Sequence, residues 1–141
     1  MTSTINPILL VEDNPMDVEL TKRSLARHRV ANPVVVAHDG EEALAYLPRW
    51  EAGEPLPVVI LLDLHLPKVD GLQVLSQIKS HPQFRTIPVV VLTTSSEDRD
   101  MQTAYQLGAN SYIVKSADFD KFTQVAEQIE LYWRVLNTMP R

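Results

Sequence analysis

Five short apolar runs, separated by segments with helical spacing, constrain this fold most strongly. The runs are Ile8 to Val11, Val34 to Ala37, Val58 to Leu62, Val89 to Leu92, and Tyr112 to Val114. They are rich in Val, Ile and Leu without polar alternation, which is typical of strands buried on both faces of a parallel sheet. Each intervening stretch is long enough for a crossover helix, so we expect right-handed βαβ units. The sequence therefore predicts an α/β fold with a five-stranded parallel sheet.

Local signals place a helix after each strand. Asn14-Pro15 is a cap followed by proline at the first helical position, and it predicts a helix running to about Arg29. A second helix should open after Asp39-Gly40 and continue to the loop at Gly53. The remaining helices are expected over Leu72 to Ile78, between Glu97 and Leu107 with Gly108 as a left-handed cap, and from Asp118 to about Leu136. The alternation of strands and helices predicts a (βα)5 series.

Length and composition indicate one ordinary folded domain over residues 1–141. The chain has no cysteine, which excludes thiolate zinc sites and cysteine nucleophiles and fits a reducing compartment. The formal net charge of −5 disfavours a nucleic-acid partner, because gripping a phosphate backbone needs concentrated Lys and Arg. No apolar run approaches the ~18–20 residues that span a bilayer, and the N-terminus does not resemble a secretory signal. We therefore expect a cytoplasmic protein without membrane contact.

Residues capable of chemistry stand at the carboxyl ends of the predicted strands, where open parallel sheets bind ligands. The first strand ends in Glu12-Asp13, the third in Asp63, the fourth in Thr93-Thr94 and the fifth in Lys115. Clustered carboxylates repel one another, and a hard cation such as Mg²⁺ suits two or three acids. The pattern predicts a metal-centred acidic pocket.

Each of these residues also has an ordinary structural explanation. Asp63 alone is more often a turn former or helix cap, and Glu12-Asp13 could simply open a helix, where acids gain about 0.3–1 kcal/mol. Thr93 could be a cap and Lys115 a solvated charge. Their joint placement at one edge of a short domain favours a site.

Four motifs in order identify the family that this sequence resembles. They are Leu9-Leu10-Val11-Glu12-Asp13-Asn14, then Leu61-Leu62-Asp63-Leu64-His65-Leu66-Pro67-Lys68-Val69-Asp70-Gly71, then Val91-Leu92-Thr93-Thr94, and finally Ser111-Tyr112-Ile113-Val114-Lys115. Together they resemble the receiver domain of two-component response regulators over nearly the whole chain. With this resemblance, the expected fold is flavodoxin-like, with strand order 2-1-3-4-5. We expect a single receiver domain over residues 1–141, with an extended C-terminal helix and no output domain.

The resemblance implies a role for each matching acid. Asp63 matches the phosphoacceptor aspartate. Glu12 and Asp13 match the acidic pair, of which Asp13 ligates Mg²⁺ directly and Glu12 usually through water. The main-chain carbonyl of His65 matches a further metal ligand.

Three other residues match the parts that recognise and report the phosphoryl group. Thr93 matches the hydroxyl that contacts it, Lys115 the cation that pairs with it, and Tyr112 the aromatic rotor coupled to activation. We assign the hydroxyl to Thr93 rather than Thr94 because its spacing to Lys115 matches the family. These roles agree with phosphoryl transfer, which depends mostly on positioning and charge neutralisation.

One departure concerns the residue after Lys115. The family usually has proline there, often with a cis bond, whereas this chain has Ser116. A non-proline cis bond costs ~2.5–4 kcal/mol, so we expect a trans peptide. Lys115-Ser116, Leu92-Thr93-Thr94-Ser95 and Tyr132-Trp133 resemble the small response regulators of bacterial and cyanobacterial phytochromes. That resemblance implies a sensor histidine kinase partner, a phytochrome, and allows for a downstream phosphotransfer protein.

Two other functions remain open. One is a Mg²⁺-dependent phosphohydrolase working through an aspartyl-phosphate, which would need a second acid such as Asp-x-Asp, whereas position 65 is His. The other is a phosphate-independent interaction module, which the intact acceptor cluster disfavours. We therefore expect a signalling protein rather than an enzyme.

The C-terminal segment predicts a homodimer. Tyr132, Trp133 and Met139 lie where a lone (βα)5 sheet gives the last helix little to pack against. Exposed aromatic surface of this kind usually marks an interface. The alternative is that Trp133 folds back on the edge of the fifth strand.

Overall fold

A parallel sheet of five strands forms the centre of the protein. The computed structural model describes residues 6–115. The strands are β1 (Ile8–Val11), β2 (Val34–Ala37), β3 (Val59–Leu62), β4 (Val89–Thr93) and β5 (Ser111–Val114). They are hydrogen-bonded in the order β2-β1-β3-β4-β5, and each neighbouring pair is parallel. The predicted fold class and strand order are confirmed.

Helices cover both faces of the sheet. They are α1 (Pro15–Arg27), α2 (Gly40–Leu44), α3 (Tyr46–Glu51), α4 (Gly71–Ser80) and α5 (Asp98–Gln106), with a 3₁₀ turn at Phe84–Thr86. Successive strand residues point to opposite faces. Leu9 and Ile60 therefore join a core with Trp50 of α3 and Val74 of α4, whereas Leu10 and Leu61 join a second core. Leu25 of α1 packs in that second core.

The chain does not form one continuous helix after Asp39-Gly40, so that prediction is wrong. Pro48 has no N–H to donate to the carbonyl of Leu44, and its ring crowds that carbonyl. As a result α2 ends at Leu44 and α3 begins at Tyr46. The break leaves Trp50 buried in an edge-to-face contact with Phe84, with ring centroids 5.3 Å apart.

The end of the first predicted helix also differs, while the predicted caps are present. Asn14 Oδ1 accepts hydrogen bonds from the backbone N–H groups of Met16 and Asp17, and α1 then ends at Arg27, two residues earlier than predicted. Gly108 follows α5 with a φ of 108°, as expected of a left-handed cap. The predicted helix from Asp118 to Leu136 and the Lys115-Ser116 bond lie outside the described residues. Within residues 6–115, no helix is both long and apolar enough to cross a membrane.

Candidate functional site

Three acidic residues meet at the carboxyl edge of β1 and β3. These strands are neighbours, with Val11 opposite Leu62, so the residues that follow them lie side by side. Glu12, Asp13 and Asp63 each offer a carboxylate oxygen within 4.8 Å of the others. Glu12 and Asp63 are buried, whereas Asp13 is exposed. The structure therefore brings the predicted acids together in a pocket with one open side.

Lys115 is the counterion of this pocket. It follows β5, and its Nζ atom contacts Glu12 Oε1, Asp63 Oδ2 at 3.2 Å and Asp17 Oδ2 at 3.0 Å. The side chain is only 6% exposed. Burial lowers the pKa of the ammonium, but the hydrogen bond to Glu12 and the charge of Asp63 outweigh burial and hold this pKa above its usual value. Lys115 is therefore a permanent positive charge beside Asp63.

The acids outnumber this single cation. Burial raises the pKa of Glu12 to about 7, although the hydrogen bond from Lys115 opposes that shift. Among residues 6–115, four carboxylates, those of Glu12, Asp13, Asp17 and Asp63, face one ammonium here, so these groups together carry a charge of −3 when fully ionised. A divalent cation would reduce this to −1, and closely spaced carboxylate oxygens are ligands that Mg²⁺ prefers. The residues present therefore fit a bound Mg²⁺.

Backbone groups of the β3–α4 loop position Asp63. The backbone N–H of His65 donates to Asp63 Oδ1 at 3.2 Å, and the His65 side chain is exposed. Gly71 donates its N–H to the Leu64 carbonyl at 3.0 Å. A Cβ at position 71 would lie 2.3 Å from the Asp63 carbonyl oxygen, so only glycine lets α4 begin this close to Asp63. The role of the His65 carbonyl as a metal ligand stays a prediction.

Thr93 and Tyr112 meet at Ser95 in the β4–α5 loop. Thr93 is fully buried, and its Oγ1 accepts from the Ser95 N–H at 3.3 Å, whereas Thr94 is exposed. The Tyr112 hydroxyl donates to the Ser95 carbonyl at 3.0 Å. Burial raises the pKa of Tyr112, which keeps this hydroxyl protonated. Ser95 Oγ in turn donates to Asp100 at 2.6 Å. The two predicted switch residues are thus linked through one loop residue.

Two residues of this site, Asp17 and Ser95, were not predicted from the sequence. Asp17 contacts Lys115, but in the sequence it has the ordinary appearance of an acid in the first turn of a helix. Its position four residues after Asp13 was the available signal, because α1 begins between them. Ser95 lies two residues beyond Thr93, and nothing in its local sequence indicates that Tyr112 will reach it.

Comparison with known proteins identifies the family. A family model described as the response regulator receiver domain matches residues 8–127. The chain belongs to this family. The resemblance inferred from the four sequence motifs is therefore confirmed over most of the chain.

Three relatives show how near this chain is to described members. The probable methanogenesis regulatory protein FilR2 of Methanothrix harundinacea is 46% identical over 94% of this chain and 86% of its own length. Response regulator Rcp1 of Synechocystis sp. is 39% identical over 99% of both chains. The crystal structure of phosphorylated RcpA, a cyanobacterial phytochrome response regulator, has a TM-score of 0.83 at 44% identity, covering 98% of this chain and 100% of RcpA. An Mn²⁺-bound form of Rcp1 has a TM-score of 0.81 at 38% identity, covering 96% of this chain and 99% of that one.

Asp13 is the acid to vary in testing the metal site, because it is the exposed member of the cluster. We expect Asp13→Asn to weaken Mg²⁺ binding by about tenfold or more, since one charged ligand is lost. The same variant should unfold at a higher temperature without Mg²⁺, because a like-charge repulsion is relieved. Titration calorimetry and thermal denaturation measure the two effects, with Asp98→Asn on α5 as control. Wild-type Mg²⁺ affinity in Asp13→Asn would exclude Asp13 as a ligand.

Proposed function

We propose that this receiver domain accepts a phosphoryl group on Asp63 from a sensor histidine kinase and passes the signal on by protein contact. The observation that carries the proposal is the position of Asp63. Its carboxylate shares the acidic pocket with Glu12 and Asp13, and Oδ2 lies 3.2 Å from the ammonium of Lys115. One carboxylate therefore lies beside both a candidate cation site and a fixed positive charge.

This geometry suits an aspartate nucleophile. Asp63 attacks the phosphorus of a phosphohistidine, a new P–O bond forms, and the P–N bond to the kinase imidazole breaks. Charge on the transferring oxygens must be neutralised from fixed positions, and Lys115 is the chain's own cation for this purpose. Mg²⁺ supplies further neutralisation when it is held by Glu12, Asp13 and Asp63. The N–H of His65, which donates to Asp63 Oδ1, orients the carboxylate for the attack.

The kinase that we propose is of the phytochrome type. Support comes from Rcp1 and RcpA, at 39% and 44% identity over nearly the whole chain. FilR2, whose name describes a methanogenesis regulator, is 46% identical over 94% of this chain, so the proposal of a phytochrome-type input rests on Rcp1 and RcpA. A downstream phosphotransfer protein and a cytoplasmic location belong to the same proposal, because both follow from a kinase-fed relay.

A signalling role is favoured over hydrolysis of external substrates. A hydrolase of the Asp-x-Asp kind needs a second acid two residues after the nucleophile for acid–base work. Position 65, two residues after Asp63, is a histidine whose side chain is exposed. Phosphate release measured with small phosphodonors distinguishes the two functions. One phosphoryl group retained per chain fits the signalling role, and rapid continuous turnover fits the hydrolase.

The first test is the site of labelling. Asp63→Asn should abolish the acid-labile, hydroxylamine-sensitive label that a cognate kinase or a small phosphodonor leaves, because an amide is a poor nucleophile. Asp70→Asn is the matched control, since Asp70 is an exposed acid on the same loop and should label normally. Intact-mass measurement counts the label. Wild-type labelling of Asp63→Asn would place the phosphoryl group elsewhere.

The second test concerns the route by which phosphorylation is read. A phosphoryl group on Asp63 offers new acceptor oxygens, and we propose that the Thr93 hydroxyl donates to one of them and pulls on the Ser95 loop that holds Tyr112. Thr93→Ala should still be phosphorylated but should lose most of the change in partner affinity. Thr94→Ala, at the exposed neighbour, should respond normally. Affinity for the kinase or another partner, with and without phosphodonor, measures the difference; an undiminished response in Thr93→Ala would remove Thr93 from the route.

We also propose a homodimer formed through the C-terminal segment. The support is the apolar and aromatic spacing around Trp133, which lies outside the described residues. Light scattering should give a dimer mass at micromolar concentration, and Trp133→Ala should shift the mass toward the monomer. A wild-type monomer, phosphorylated or not, would reject the dimer. An equally stable Trp133→Ala dimer would move the interface away from Trp133.

A further inference from the structure

A closed ring of hydrogen bonds joins the β1–α1 loop to Lys115. The backbone N–H of Asn14 donates to Glu12 Oε2 at 3.2 Å, and Asn14 Oδ1 accepts from the backbone N–H of Asp17 at 3.2 Å. Lys115 closes the ring, because its ammonium donates to Asp17 Oδ2 at 3.0 Å and to Glu12 Oε1. The helix cap at Asn14 therefore holds the backbone of Asp17 near the carboxylate of Glu12, and Lys115 binds the carboxylates of both residues.

All the donors of Lys115 are engaged in this arrangement. An ammonium has three N–H groups, and the Nζ atom contacts three carboxylates, those of Glu12, Asp17 and Asp63. Two of these acceptors belong to the ring, and the third is the proposed phosphoacceptor. The ring thus determines the direction in which the remaining N–H points.

We propose that Asp17 is a positioning residue for phosphoryl transfer: together with Glu12 it clamps the Lys115 ammonium so that the third N–H faces Asp63. The inference rests on the proposed function, because it gives the clamp the task of presenting Lys115 to the phosphoryl group on Asp63. When that group arrives, the Lys115 N–H that had donated to Asp63 Oδ2 donates to a phosphoryl oxygen instead. The hydrogen bonds from Lys115 to Glu12 and Asp17 are retained.

A second anchor is needed because of the chemistry of lysine. Its charge sits on a flexible four-carbon stem, so one hydrogen bond leaves the ammonium free to swing, whereas two charged acceptors fix it. Glu12 alone would anchor the Lys115 ammonium poorly, because Glu12 also belongs to the acidic cluster that would hold Mg²⁺. Asp17 is not one of the three acids of that cluster, and its side chain is 25% exposed at the end of the pocket. Asp17 can therefore hold Lys115 without also ligating a metal.

Anchoring and simple electrostatics predict opposite results, so substitution separates them. Removing a negative charge beside an incoming phosphodonor should speed the reaction if Asp17 acts only through its field. Losing an anchor should slow the reaction. Asp17→Asn removes the charge but keeps an amide oxygen that can accept from Lys115, while Asp17→Ala removes both.

The experiment measures the rate at which the full chain is phosphorylated by phosphoramidate in saturating Mg²⁺. We expect Asp17→Ala to lower the maximum rate by about tenfold with little change in the half-saturating donor concentration, and Asp17→Asn to fall between it and the wild type. Glu19→Gln is the matched control, because Glu19 is an exposed acid on the same helix, and it should react at the wild-type rate. Circular dichroism confirms that each variant is folded; if Asp17→Ala is not, Asp17→Asn against the wild type carries the test.

A cycle with Lys115→Met shows whether Asp17 acts through Lys115. In that background Asp17→Ala should have no further effect on the residual rate. Equal slowing in both backgrounds, a wild-type rate in Asp17→Ala, or equal acceleration in Asp17→Ala and Asp17→Asn would each overturn the clamp. Failure of the proposed function is recognised separately, because the label would then persist in Asp63→Asn whatever Asp17 does.

Discussion

The contact between Lys115 and its three carboxylates is the interaction on which the site and its framework both depend. Lys115 follows the last described strand and Glu12 the first, 103 residues apart, and their ion pair spans the carboxyl edge of the sheet. Removing one member of a buried ion pair typically costs about 3–5 kcal/mol, because the other charge is left without compensation. The edge of the sheet is therefore held by the same charges that the proposed chemistry uses. Substitutions at Lys115 affect folding and activity together, which makes the outlying acid Asp17 more informative.

The loops around Asp63 differ in how they are held. The β2–α2 and β3–α4 loops meet backbone to backbone, because a Cβ on Gly40 would lie 2.0 Å from the Val69 carbonyl oxygen. Within the β3–α4 connection itself, a Cβ on Gly71 would lie 2.3 Å from the Asp63 carbonyl oxygen. Backbone segments packed this closely can adopt only one arrangement, so these loops are not suited to two states. The β4–α5 loop is held instead by the hydrogen bonds of Ser95 to Thr93, Asp100 and Tyr112. Hydrogen bonds can be exchanged for others of similar strength, so this is the loop suited to two states.

The sequence predicted most of the fold because the deciding signals are local. Buried strands need continuous apolar runs, and Asn14 and Gly108 are caps with recognisable residues on either side. The start and stop signals of a helix do not indicate the break before α3, which is caused by Pro48 inside the helical segment. The contacts of Lys79 cannot be predicted from any local sequence pattern. Its ammonium donates to the backbone carbonyls of Arg85 and Ile87 and to the side chain of Asn110. These hydrogen bonds connect α4 to the segments before β4 and β5. Such contacts depend on tertiary packing, as does that of Asp17 with Lys115.

The difference between loops held by backbone packing and a loop held by hydrogen bonds also explains which part of the site would report phosphorylation in the proposed function. An acyl phosphate of charge about −1.5 to −2 would replace the single negative charge of the Asp63 carboxylate. Phosphorylation would therefore add about one negative charge or less, together with new acceptor oxygens, to a pocket already rich in carboxylates. Lys115 can satisfy only one new oxygen, since two of its donors remain on Glu12 and Asp17. Thr93 Oγ1 accepts from Ser95, which leaves its own hydrogen to be donated. Drawing Thr93 toward a phosphoryl oxygen disturbs that bond, and Ser95 carries the disturbance to the Tyr112 hydroxyl. In the proposed function, full engagement of Lys115 therefore directs the response to the β4–α5 loop.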